Sequence, residues 1–377
     1  MTTVELKVPG QFHTSPLPQS TVNRAKKAFT TRHVPPAAMK TLLAGELVPR
    51  PGDLVLARVD RIRQHARIEL ANGRRSRLFV GDLIVVAYGN RYAPDQFEAL
   101  VPQDLAPCHL VAGGGVASKM RVRSPKVKSA TEITPLGLLA DAKGKRLNLK
   151  DWCKPGVNPK QASQRDSHLG DVPVFLVIGS SMNAGKTTTA ARLIHGLAAD
   201  GYRVGAMKIT GTGSGGDLWH FKDAGAMDCV DFTDAGHAST YKASTQACLN
   251  VFSSLGDYLL EKGAQVLVVE VADGILQEET EALLKKPDFV RQISATWYCA
   301  ADSAAALYGL QWLSRHGYSV EALSGVFSSN PLATAEVEKH CQVPVVSKND
   351  LTAPGYGHGL MERFDKERAS RKQTVMA

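Results

Sequence analysis

The stretch Val174-Phe-Leu-Val-Ile-Gly-Ser-Ser-Met-Asn-Ala-Gly-Lys-Thr-Thr-Thr189 constrains this chain more than any other. An apolar, β-branched run ends in small residues, and Gly185-Lys186-Thr187 then opens a run with helical spacing: Ala190, Ala191, Leu193, Ile194 and Leu197. Strand, tight loop and helix in that order are what a phosphate-binding loop needs. Successive backbone N–H groups of such a loop can face one anion, and the free N–H groups and positive dipole end of the helix add to the same field. The expected cradle is Gly179, Ser180, Ser181, Met182, Asn183, Ala184, Gly185, Lys186, Thr187 and Thr188. In it Lys186 reaches the terminal phosphates, and the hydroxyl of Thr187 ligates Mg²⁺. The usual spacing would put the first glycine at position 180, but here Ser180 stands there and the glycine is Gly179.

A chain of 377 residues is long enough for two or three domains with cores of their own. No apolar run approaches a membrane span, and the start lacks a signal-peptide pattern, so a cytoplasmic location without membrane contact is expected. The six cysteines are scattered, with no Cys-x-x-Cys, which fits reduced thiols rather than a zinc site. Charge is uneven: residues 1–170 hold 27 Lys+Arg against 13 Asp+Glu, and the remainder holds 18 against 23. A basic front half suggests an anionic partner.

Residues 1–50 read as an N-terminal extension with short helix candidates at Val22–Phe29 and Pro36–Leu43. From Gly52 the apolar period changes to two, giving expected strands at Asp53–Asp60, Ala66–Leu70, Arg77–Val80 and Leu83–Tyr88. Asn72-Gly73 matches a type I′ hairpin turn. Residues 51–140 therefore read as a small, mostly antiparallel β-barrel-like domain. Its polar positions carry Arg58, Arg61, Arg63, Arg67, Arg74, Arg75 and Arg77. Two readings stand for the basic residues of 51–130: a solvated face, favoured by the few interleaved aromatics, or a nucleic-acid surface. Gly113-Gly114-Gly115 beside Lys119 is either a phosphate contact or a flexible crossing. Residues 141–170 read as a linker.

Beyond it, residues 171–352 alternate strand and helix, which predicts an α/β domain with a mostly parallel sheet, and 353–377 form a tail. Ligands of such sheets sit at the carboxyl ends of the strands. There the sequence places Lys208, Thr212 and Asp217 after the second strand, Glu270 and Asp273 after the buried strand Ala264–Val271, and Asn330 after the sixth. A seventh strand is expected at Val343–Val346, followed by Ser347-Lys-Asn-Asp350, a weak echo of a guanine-reading motif. Asp231, Asp234 and His237 form a further polar cluster, either a general base with a substrate clamp or a helix cap with a surface histidine.

The loop with its first glycine at Gly179 resembles that of dethiobiotin synthetase and cobyrinic acid diamide synthase. Lys208, then Gly216-Asp217, then Ala224-Gly225-Ala226 resembles the accessory NTPase of molybdopterin-guanine dinucleotide synthesis. The likeness covers about 175–350. It implies Glu270, Asp217 and Thr187 on the metal side, Lys186 and Lys208 on the transferring phosphoryl group, and Asn330 near the base. The expected function is a Mg²⁺-dependent enzyme, using ATP by preference with GTP as the alternative, that phosphorylates or activates a small anionic molecule, with Thr212, Asp234 and His237 toward the substrate. The basic β domain would cover the site, and a homo-oligomer is expected. A nucleotide-switched accessory protein and a nucleic-acid-stimulated NTPase are the alternatives.

Overall fold

The computed structural model describes residues 12–162, 169 and 172–376. The start of the expected extension and most of 163–171, in the expected linker, lie outside the described residues. Contacts divide the chain into two units. The first holds the chain up to Pro155 together with Thr212–Gly215 and Phe232–Lys242; the second holds Gly156–Gly211, Gly216–Asp231 and everything from Ala243 on.

In the first unit the period-two pattern feeds two apolar clusters, one on each face of a ten-stranded sheet. From the strand Leu54–Arg61, Leu54 and Leu56 join Val85, Ala87, Val111 and Val116, while Val55, Ala57 and Val59 join Ile84, Val86, Leu110 and Ile133. Both faces of this strand are therefore buried over Leu54–Ala57. Thr131–Ala140 pairs with Leu54–Arg61, which pairs with Leu83–Tyr88. Leu83–Tyr88 pairs in parallel with Val116–Arg123, which pairs with Cys108–Ala112, and that strand returns to Thr131–Ala140.

The sheet is larger than the small domain expected. Phe12–Pro16 pairs with Thr41–Gly45, which pairs with Thr131–Ala140, so residues 12–50 build the unit instead of preceding it. The two expected helices there are corrected as well. Only Gln19–Arg24 is α-helical; Lys26–Lys27 is drawn out along Leu83–Tyr88, and Pro36–Ala38 makes a single 3-10 turn before the next strand. Pairing with the sheet overrides weak local helix preference. The hairpin at Asn72-Gly73 joins Arg67–Glu69 to Arg75–Arg77, and Phe79 and Val80 are exposed loop residues rather than strand. Of the turn pair only Gly73 has a left-handed φ, at 80°, so the turn is not type I′. The Asn72 side chain instead accepts the Arg74 N–H at 3.2 Å, the local bond for which asparagine is favoured in turns.

The second unit is a six-stranded parallel sheet. Its order is Asp228–Asp231, Val204–Lys208, Val266–Glu270, Val174–Gly179, Ala295–Ala300, Val320–Gly325. The Glu270 strand thus lies between the Lys208 strand and the Gly179 strand. Lys186–Ala199, Gly216–Asp223, Thr245–Glu261, Ser303–Arg315 and Pro331–Glu338 are helices, in keeping with the expected alternation. Val343–Val346 is not a strand; only Val345 bridges, to Leu323, because Pro344 has no N–H to continue a ladder. Short helices at Glu278–Leu284 and Pro287–Val290 were not read from the sequence, and the expected tail contains the helix Tyr356–Met376.

The glycine triplet closes the tight turn between Cys108–Ala112 and Val116–Arg123. A Cβ on Gly115, whose φ is 100°, would lie 2.0 Å from the Ala28 Cβ, whereas one on Gly113 would meet nothing closer than 3.8 Å. Gly115→Ala should therefore cost about 1–3 kcal/mol or more by overpacking, read as a lowered Tm in thermal unfolding, while Gly113→Ala leaves Tm near the parent value.

Candidate phosphate-binding site

The loop between Gly179 and Lys186 is tied at both ends. Ser180 N–H donates to the Cys299 carbonyl at 2.8 Å, and the Ala184 carbonyl accepts the Val326 N–H at 3.1 Å. Gly179 is required by space: a Cβ there would sit 2.6 Å from the Cys299 carbonyl oxygen. Asn183 and Gly185 take left-handed φ values of 65° and 100°, which reverses the chain just before the helix. No side chain caps the helix that starts at Lys186. Its first-turn N–H groups, which have no partners inside a helix, supply donors and a positive dipole end for an anion.

Four charges gather beside this turn. Lys186 is buried and donates to the Ser181 carbonyl at 2.6 Å; burial lowers its pKa despite the nearby Glu270. Glu270, at the end of its apolar strand, is 1% exposed. Its Oε1 accepts from Thr187 Oγ1 at 3.1 Å and from Lys208 Nζ at 3.0 Å. Lys208 also pairs with Asp217, from the first turn of the helix Gly216–Asp223. Burial works against the Lys208 charge, but the carboxylates of Glu270 and Asp217 outweigh it and hold the pKa above the ordinary lysine value. Desolvation likewise opposes charge on Asp217, and Lys208 reverses this to leave its pKa lowered. The strand order explains the convergence. Glu270 is in register with Val177 on one side and with Lys208 on the other.

Glu270 Oε2 is buried without a hydrogen-bond partner among the described residues. An unsatisfied carboxylate oxygen beside a threonine hydroxyl and a second carboxylate suits a hard cation. Among the described residues no cluster of three or more His, Cys, Asp or Glu is placed to hold a metal. Mg²⁺ characteristically needs only one or two carboxylates when substrate phosphates complete its shell, so Thr187, Glu270 and Asp217 fit that ion.

The other candidates are dispersed. Asn330 caps the helix Pro331–Glu338, its Oδ1 accepting the Leu332 N–H at 3.0 Å, and the chain reaches it four residues after the Val326 N–H that binds the loop. Thr212, Asp234 and His237 belong to the first unit. Thr212 bridges to Ser239. Asp234 Oδ1 accepts from Arg32 Nη2 at 2.6 Å and lies 2.7 Å from His33 Nε2. Neither partner was legible in the sequence, because some 200 residues separate them from Asp234 and nothing in the Arg32-His33 pair announces the contact. The His237 pKa falls to about 4, through burial first and Lys150 second, so its ring is neutral at pH 7.

No protein-family model matches the chain, and no curated protein matches it. Solved structures give partial likenesses. The signal recognition particle receptor FtsY of Elizabethkingia anophelis, in complex with GDP, superposes with a TM-score of 0.34 at 15% identity, covering 50% of this chain and 62% of that one. For the signal recognition particle 54 kDa protein of Aeropyrum pernix K1, in complex with GDP, the values are 0.32, 18%, 57% and 52%. For a nucleotide-binding protein of Archaeoglobus fulgidus, in complex with ADP, they are 0.32, 11%, 52% and 90%. The chain therefore spans less than two thirds of the length of the first two.

An unfolded histidine takes up its proton near pH 6.5, whereas His237 in the fold does so near 4. Between those values the unfolded state binds more protons, so stability falls as pH drops from about 6.5 toward 4. His237→Gln should flatten that part of the curve of denaturation midpoint against pH.

Proposed function

We propose that the second unit is the catalytic part of an enzyme that binds a nucleoside triphosphate with Mg²⁺ and transfers its terminal phosphoryl group to a small anionic acceptor. The observation that carries this reading is the buried Glu270, held between Thr187 and Lys208 beside an uncapped helix start. In the transfer, the bond from the γ-phosphorus to the bridging oxygen breaks and one to an acceptor oxygen forms. Lys186 and Lys208 would balance the charge on the transferring group, since such catalysis is almost entirely positioning and electrostatics. Thr187, Glu270 and Asp217 would hold the Mg²⁺, which would supply positive charge against the phosphate oxygens. The resemblance to dethiobiotin synthetase suggests a carboxylate or carbamate as acceptor.

ATP is the nucleotide favoured. The side chain that a guanine-reading motif would turn to the base is Asp350, and its Oδ2 accepts the Ser347 N–H at 2.7 Å, closing its own turn. Asn330 remains the residue proposed to meet the base.

A second reading, a nucleotide-responsive accessory protein, is favoured by the path of the chain. Soon after the strand ending at Lys208 the chain enters the first unit for Thr212–Gly215, and after the strand ending at Asp231 it does so again for Phe232–Lys242. Nucleotide turnover separates the two. An enzyme gives turnover that rises with one metabolite; a switch turns over slowly whatever metabolite is added. Lys186→Ala should lower turnover on the order of 10²-fold or more, as expected for loss of a transition-state charge donor. An unchanged rate would remove the site assignment.

A further inference from the structure

The first unit contains a cavity of about 520 Å³ whose walls come from that unit alone. We propose that it is a second ligand site, distinct from the phosphate loop, which takes a small organic oxyanion bearing carboxylate or phosphate groups. Its volume lies in the range of pockets for small molecules. Three guanidinium groups line it, those of Arg67, Arg75 and Arg91, against one carboxylate, Glu69.

Two of the lining charges are built into the fold. Arg91 is 7% exposed; its Nη2 donates to Gln96 Oε1 at 2.9 Å, and its Nη1 lies 3.1 Å from His65 Nε2. The Gln96 bond holds the fork before any ligand arrives, and a planar fork suits the paired oxygens of carboxylate and phosphate. His65, whose Nε2 lies 2.9 Å from the Val111 carbonyl oxygen, has its pKa pushed down to about 4 by burial and by Arg91. It therefore presents a neutral ring at pH 7. Glu69 is 4% exposed and is held by the Gly215 N–H at 2.9 Å and Ser214 Oγ at 3.2 Å. Those bonds fix its carboxylate and share out its charge. Arg67 and Arg75 are exposed and lie diagonally across the hairpin, with Arg77 directly opposite Arg67 and Glu69 directly opposite Arg75. The cavity lining thus carries three guanidinium-bearing residues against one carboxylate, and an anion would balance that excess.

Gly113 gives a clean test. Its φ is not left-handed, and an added Cβ would find only the Arg67 carbonyl oxygen at 3.8 Å and His65 Nδ1 at 4.0 Å, both on lining residues. Gly113→Val should thus occupy the cavity without straining the turn. The experiment is calorimetric titration of the full chain with citrate and with pyrophosphate, for the parent, Gly113→Val, Arg67→Ala/Arg75→Ala and Lys186→Ala. The parent and Lys186→Ala should take up at least one probe alike. The first two variants should bind it about ten- to a hundredfold more weakly, the loss expected for charge-assisted hydrogen bonds. Uptake of citrate alone would identify a carboxylate ligand, and of pyrophosphate alone a phosphate ligand. If Gly113→Val fails to fold, the double arginine variant decides. No uptake of either probe at millimolar concentration would overturn the proposal, as would uptake lost only in Lys186→Ala, which would place the anion at the phosphate loop. Failure here leaves the nucleotide reading untouched, because that reading rests on Lys186 and Glu270.

Discussion

A carboxylate that is 1% exposed at the end of an apolar strand is the constraint around which the second unit is arranged. Leaving Glu270 charged there without partners would cost more than a domain can spare. The sheet supplies the answer by register. The neighbouring strand ends on Lys208 directly opposite, and the helix after the phosphate loop brings Thr187 to the same oxygen. Lys208 is in turn charged and largely shielded, and Asp217 completes its compensation. Removing one member of such a group leaves another with less compensation.

In the proposed reaction the same arrangement would have a chemical use. Glu270, Asp217, Lys186 and Lys208 sum to zero formal charge, so the site stores no large field of its own. Its donors are instead fixed: the first-turn N–H groups of an uncapped helix, and two ammonium groups held by the Ser181 carbonyl and by carboxylates. Preorganised donors stabilise developing phosphate charge without reorganising at the moment of reaction. In that proposal the remaining buried Glu270 oxygen would meet the cation that arrives with the phosphates.

Much of this was legible in the sequence. Val174 through Thr189 specify strand, loop and helix by the order of their residue types, and an acidic residue ending the run Val266–Val269 stands out because a buried carboxylate needs a partner. Register was not legible. That Lys208 and Glu270 lie side by side depends on a strand order that puts the fourth strand between the second and the first. The first unit was harder to read. Alternation marks Asp53–Asp60 and Leu83–Tyr88 as strands, but Lys26–Lys27 and Thr41–Gly45 become strands only because distant partners recruit them. Arg91 reads as one more surface arginine, and only the fold buries it beside His65. Long-range pairing and burial carry no local signature.

Equilibrium binding of ATP to the intact chain, with and without Mg²⁺, for the parent and for Glu270→Gln, tests the central claim most directly. The account predicts that Mg²⁺ tightens binding to the parent and that this gain is largely lost in Glu270→Gln, while metal-free binding changes little. Equal tightening by Mg²⁺ in both proteins, or no uptake of ATP by the parent, would contradict it.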